Sequence, residues 1–290
     1  MVGALAVSLV TSGMSADTKK VTKKKVSPAV KVDDSLEHID VFAGIEQGVL
    51  EVKMIPNDAM GGNMFIENKS DKPLNVDFPA AFIGKQVLKQ FGGAQQGGFG
   101  GQQGGFGGQQ GGFGGGGQQS QGGGFGGQQG GFGGQQGGFG GQQGGGGGGF
   151  FSVPSDRIIR VAYRSVCLEH GKPEPSPRVT YRIGKVEEFS DDPVLKETLA
   201  MVASGQLDPQ AGQAATWHLA NKMSWQELAA KSIPHIGRPA TPYFSAETLA
   251  RAQNIHITAV ARVKEREASD KSLIASTKKN GDTASTVKRD

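Results

Sequence analysis

The chain has 290 residues, of which 48 are glycine and one is cysteine, and its formal net charge is +4 at pH 7. A single cysteine excludes an intrachain disulfide framework. The small positive excess sits in Lys-rich ends interspersed with acids, which reads as solvated arms and gives no basis for a nucleic-acid partner.

Length alone suggests two domains. Residues 92–149, however, hold only Gly, Gln and Phe besides Ala94 and Ser120. Such a segment cannot build a core, because it lacks aliphatic side chains and its glycines carry the largest ordering entropy. Roughly half the chain is left for one modest domain and a small annex.

In chain order, Val2 to Val10 is apolar or small. The run is too short to span a bilayer and matches the apolar region of a secretory signal peptide over 1–16, with cleavage after Ala16. No Lys or Arg precedes it. Residues 17–39 read as a Lys-rich linker. Leu50, Val52 and Met54 then alternate with Glu51 and Lys53, the pattern of a half-buried strand, and Pro56-Asn57-Asp58 is expected to end it. Met64, Phe65 and Ile66 mark a second strand. Leu74, Val76 and Phe78 mark a third, joined to the second as a hairpin by the turn residues Lys69 to Pro73.

The Gly-rich segment is built on the unit Gly-Gly-Phe-Gly-Gly-Gln-Gln. Phe99, Phe106 and Phe113 fall seven apart, as do Phe125, Phe132 and Phe139, with a break in phase around Gln118, Ser120 and Gln121. Flanking glycines forbid a stable helix, so this period is not a coiled-coil heptad. The expectation for 92–149 is a disordered insert spanning roughly 40 Å as a flexible coil. Six phenylalanines on an uncharged Gly/Gln chain have the composition of a self-associating, prion-like segment, and a passive spacer reads equally well. Without Lys or Arg the repeat lacks the phosphate contacts that dominate nucleic-acid affinity, although its rings could stack on bases.

Strand patterning resumes with Ile159, Val161 and Tyr163, then Val166-Cys167-Leu168, then Val179, Tyr181 and Ile183. Strands on both sides of the repeat predict one antiparallel, Ig-like β-sandwich, its first part over 40–91 and its second over 150–189, with the repeat as a giant loop. A helical module over 190–264 follows. Leu195, Leu199 and Val202 have helical spacing, the paired acids Asp191 and Asp192 cap that helix, Asp208-Pro209 starts the next, and Ser224 with Glu227 forms a capping box. A last helix is predicted from Ala246 to Arg262, and a disordered tail over 265–290.

The residues point away from catalysis. The five histidines are scattered, and no metalloprotease, phosphate-loop or nucleophile-elbow motif occurs. Cys167 and His170 lie three apart, which along a strand puts them on opposite faces. No cofactor, metal ligand set or small-molecule substrate is indicated. The mainly β chain with a helical C-terminal module reads as a non-enzymatic structural or protein-interaction protein.

Three stretches carry a resemblance: MFIENKSDKPLNVDFPAAF (64–82), SVCLEHGKPEPSP (165–177) and LDPQAGQAATWHLANKMSWQELAAK (207–231). They resemble exported proteins of planctomycete-type bacteria with a Gly-rich insert, a resemblance that implies export and brings no activity. A second likeness is to the thioester domains of bacterial surface adhesins. Val166-Cys167-Leu168 looks like their cysteine motif, and Gly212-Gln213-Ala214-Ala215-Thr216-Trp217 looks like their glutamine motif, with Gly212 and Thr216 standing where that family has apolar residues. This likeness implies an internal thioester between Cys167 and Gln213 that captures amines.

Overall fold

The computed structural model describes residues 24–28, 33–87, 117–125 and 149–281. The chain is mainly β with helices at its C-terminal side. Its strands are β1 (Lys25–Pro28), β2 (His38–Asp40), β3 (Leu50–Asp58), β4 (Gly61–Asn68), β5 (Leu74–Asp77), β6 (Phe82–Gln86), β7 (Gln121–Gly124), β8 (Phe150–Val153), β9 (Arg157–Cys167), β10 (Tyr181–Gly184), β11 (Ser232–His235) and β12 (Arg238–Pro242). The helices are α1 (Val41–Glu46), α2 (Pro193–Ala203), α3 (Pro209–Ala220), α4 (Trp225–Ala230) and α5 (Ala246–Gly281).

The expected two-sheet Ig-like sandwich is replaced by a sheet that closes on itself. The order runs β9-β4-β3-β10-β6-β7, and β7 pairs back onto β9. Closure depends on the 11-residue β9. One edge of β9 pairs with β4 through Ile158–Arg164, while Arg164–Cys167 pair on the other edge with β7. A sheet closed in this way has no exposed edges at those strands. β1 runs parallel to the start of β9. A small sheet of order β2-β5-β8 packs against the barrel core through Val76 and Val153.

Alternation puts Met54, Met64, Ile66, Phe82, Ile159, Tyr163, Tyr181 and Ile183 into one buried cluster. The predicted hairpin between the second and third strands does not form. β4 pairs with β3 and β9, whereas β5 pairs with β2 and β8. Asn68 explains the departure. Its buried amide donates to the carbonyls of Lys72 and Val153, so the Lys69–Pro73 turn steers the chain out of the barrel sheet and toward β8. The hairpin that does form joins β3 to β4, with β3 running on through Pro56 and a bulge before Asp58.

The helices pack on the barrel. Leu195, Leu199 and Val202 of α2 meet Ile83, Val166 and Leu168. Asp192 caps α2 and Asp208 caps α3. Ser224 and Glu227 form the capping box of α4. The last helix overruns its predicted end at Arg262 and continues through part of the expected tail to Gly281. Glu197 on α2 helps to hold it: this buried carboxylate accepts from Arg262 at 3.3 Å and Arg266 at 2.5 Å.

Candidate functional site

Cys167 ends β9 and is buried in a cluster with Met201, Ala211 and Ala214 of the helices. Gln213 lies within α3, also buried. The structure brings these two together. The Cys167 N–H donates to Gln213 Oε1 at 2.8 Å, and Gln213 Nε2 donates to the Cys167 carbonyl at 2.8 Å. The carboxamide has the same donor–acceptor pair as a peptide unit, so it stands in for a neighbouring strand at the free edge of Cys167. On the opposite edge, the Leu168 N–H donates to the Ser120 carbonyl at 2.9 Å and Cys167 faces Gln121 across the sheet.

Burial pushes the Cys167 thiol up to about 12, with Glu174 and Asp58 adding in the same direction. A thiol held protonated is a poor nucleophile. His170 stands in the turn after β9, where its ring meets Trp217 edge-on at 4.7 Å and its Nε2 lies 3.0 Å from Lys231 Nζ. The Lys231 ammonium lies over the rings of Trp217 and Tyr243. This aromatic and cationic group was not singled out in the sequence, because its members come from four separate segments.

The centre of the Gly-rich segment is folded, against the expectation of an uninterrupted disordered insert over 92–149. β7 is seated between β6 and β9, in register with Phe82–Gly84 on one side and Arg164–Cys167 on the other. Gln121 points into the barrel, where its Oε1 accepts from the Tyr163 hydroxyl at 2.8 Å and its Nε2 donates to the Asp58 carbonyl at 2.7 Å. Phe125 packs on Phe78, Phe82 and Phe151 with centroids 5.0, 5.2 and 4.9 Å away. Glycine is required here by close approach. A Cβ on Gly123 would lie 1.9 Å from the Arg164 carbonyl oxygen, and one on Gly122 would lie 2.8 Å from Leu199 of α2.

One of the six candidate self-association residues is therefore packed, half-buried, against the barrel core. Phe125 belongs to the barrel, while Phe99, Phe106, Phe113, Phe132 and Phe139 lie outside the described residues. A readable signal distinguished it. Gln121 and Phe125 are four apart with three glycines between them, whereas the units ending in Phe99, Phe106, Phe113, Phe132 and Phe139 read Gln-Gln-Gly-Gly-Phe and carry a second Gln where Gly122 stands. In an extended strand an even spacing puts both side chains on one face, and an odd spacing puts them on opposite faces.

Among the described residues no cluster of three or more His, Cys, Asp or Glu side chains could hold a metal ion. Among them, too, no helix is long and apolar enough to cross a membrane. Two shallow depressions, of about 290 and 350 Å³, are lined respectively by residues around Lys185 and around Trp225, and neither includes Cys167 or Gln213. No family model, curated protein or solved structure matches the chain.

Proposed function

We propose that this chain is an exported, non-enzymatic interaction module: a barrel that grips a Gly/Gln/Phe segment at its centre and offers the remainder for self-association or tethering. The observation that carries this reading is the seating of β7. Gln118 N–H donates to Gln86 Oε1 at 2.5 Å, so the described residues that flank 88–116 lie together at one end of β7. Phe125 packs on Phe78 and Phe151, and the Phe78 N–H donates to the Gly149 carbonyl at 2.9 Å, so the described residues that flank 126–148 lie together at the other end. One body thus carries two Phe-bearing segments, whose single charge is Lys89, anchored at opposite ends of a strand. Two sticky segments per body are the minimum for extended assembly, because each copy can then contact two others.

The test is concentration-dependent assembly, followed by light scattering. Replacing Phe99, Phe106, Phe113, Phe132 and Phe139 by Ser abolishes assembly and leaves the melting temperature unchanged. Unaltered assembly in that variant sinks the self-association reading and leaves a tether. Export is read from the mass of the exported protein, which begins at Asp17 if the 1–16 segment is a signal peptide, as the likeness to exported planctomycete-type proteins implies.

A second reading, a covalent adhesin with an internal Cys167–Gln213 thioester, has one observation in its favour. The Gln213 carboxamide lies against Cys167, with its carbonyl oxygen polarised by the Cys167 N–H. The step joins Cys167 Sγ to Gln213 Cδ and releases ammonia, the thiol proton leaving with the amine. The raised thiol pKa opposes it. Intact mass decides: loss of one ammonia, with methylamine adding back at Gln213, supports the thioester, and full mass without an adduct removes it.

A further inference from the structure

We propose that the groove between β6 and β9, filled in one chain by its own β7, also accepts the same segment from a second copy of the chain, so that copies are joined by strand exchange. Three observations carry this.

First, the groove recognises a sequence and not merely an edge. It holds the backbone of Gln121–Gly123 on both sides and of Gly124 on the β9 side. It bonds both ends of the Gln121 carboxamide and seats Phe125 four positions on. It leaves no room for side chains at Gly122 and Gly123. This is recognition of a peptide by strand addition, with main-chain hydrogen bonds for affinity and alternate side chains for specificity. The repeat units around it read Gln-Gln-Gly-Gly-Phe, with a Gln likewise four before Phe but a second Gln where Gly122 stands. A side chain there would meet Leu168 and Leu199 at 2.8 Å, so only the Gln121–Phe125 stretch offers both anchors without that clash.

Second, the strand is covalently remote from the barrel on both sides. Residues 88–116 and 126–148 intervene, and chains of that length reach up to about 100 Å and 80 Å respectively. Neither connection is too short to let β7 reach the groove of a neighbouring molecule.

Third, exchange reproduces every contact of the closed barrel, so the two arrangements differ mainly in connectivity. A cis strand on such connections competes with an effective concentration in the millimolar range. Exchange is therefore expected where the chain is crowded or refolds at high concentration.

This inference deepens the self-association reading but does not use the repeat phenylalanines as stickers. The experiment uses the full chain, unfolded in urea and refolded at rising protein concentration, alone or with an excess of a synthetic peptide of residues 117–126. A control peptide lacks one of the three consecutive glycines, which leaves Gln three and Ser four positions before Phe, so that no Gln stands four before Phe on its face. The expected result is a dimer, seen by native mass spectrometry, whose fraction rises with refolding concentration, survives dilution, and falls several-fold with the first peptide but not with the control. Absence of a dimer, or a dimer indifferent to both peptides, overturns strand exchange. Suppression by both peptides also overturns it and points to general stickiness of the repeat. The variant with Ser at Phe99, Phe106, Phe113, Phe132 and Phe139 retains the exchanged dimer, so failure of the sticker reading and failure of exchange are told apart.

Discussion

The side chain of Gln213 pairs with both backbone groups of Cys167, each hydrogen bond 2.8 Å long. Through this contact α3 completes the hydrogen bonding at the end of β9, on the edge opposite β7. The helical module and the barrel are thus joined at the residue where the Gly-rich strand is also pinned.

Replacing Gln213 by Leu leaves the Cys167 N–H and carbonyl buried without partners. Each such orphan costs about 1–3 kcal/mol. Urea unfolding of Gln213→Leu is expected to show a loss of at least about 2 kcal/mol. A loss below about 0.5 kcal/mol, the scale of an ordinary surface change, contradicts the clamp.

Gly123→Ala is a sharper probe of β7. Its new Cβ would lie 1.9 Å from the Arg164 carbonyl oxygen, a backbone atom that cannot rotate away. Overpacking of this kind costs about 1–3 kcal/mol or more. The same substitution at Gly149, which has open space at its Cβ, is expected to leave the thermal midpoint nearly unchanged. Equal effects at the two positions contradict the seating of β7.

Cys167 titrates in the alkaline range. Burial disfavours the thiolate and pushes the pKa from the ordinary 9.0 up to about 12. Folding therefore favours the protonated thiol. The stability linked to this group is fully present below pH 9 and is lost as pH rises toward 12. Burial raises Tyr163 and Tyr181 as well, so they act in the same sense at higher pH. At pH 8 a thiol reagent should label Cys167 only as fast as the protein opens, and fast labelling of the folded chain counts against this.

On the acid side His256 of α5 is sensitive, as is His170, which burial and Lys231 lower. Burial lowers the pKa of His256, His218 of α3 adds to the lowering, and Asp192 opposes it. The Nδ1 of His256 is buried without a partner, and its ring meets those of His218 and Trp225. Lys222 lies 3.9 Å from Asp192 and weakens that carboxylate's pull. A depressed folded pKa means stability that is present above pH 6.5 and lost as pH falls through the folded value. The melting temperature is expected to drop on acidification from pH 7 to pH 5, and His256→Gln to reduce that slope. An unchanged slope contradicts the role of His256.

Local chemistry was legible along the chain. The alternation at Leu50–Met54 and Ile159–Tyr163 marked β3 and β9, and Asp192, Asp208 and Ser224 marked the starts of three helices, because caps and periodicities act within a few residues. The pairing of Cys167 with Gln213 was suggested by motif likeness alone, and only the packing of α3 on β9 made it a contact. The length of α5 was hidden because its later turns carry few apolar residues to show a period. Closure of the sheet was not legible either, since strand partners are chosen across long stretches of sequence. β7 is the extreme case: glycine has no side chain with which to announce a strand. What made Gln121–Phe125 a strand was the groove between β6 and β9, whose backbone edges, Tyr163 hydroxyl and phenylalanine cluster exist only once the barrel has formed.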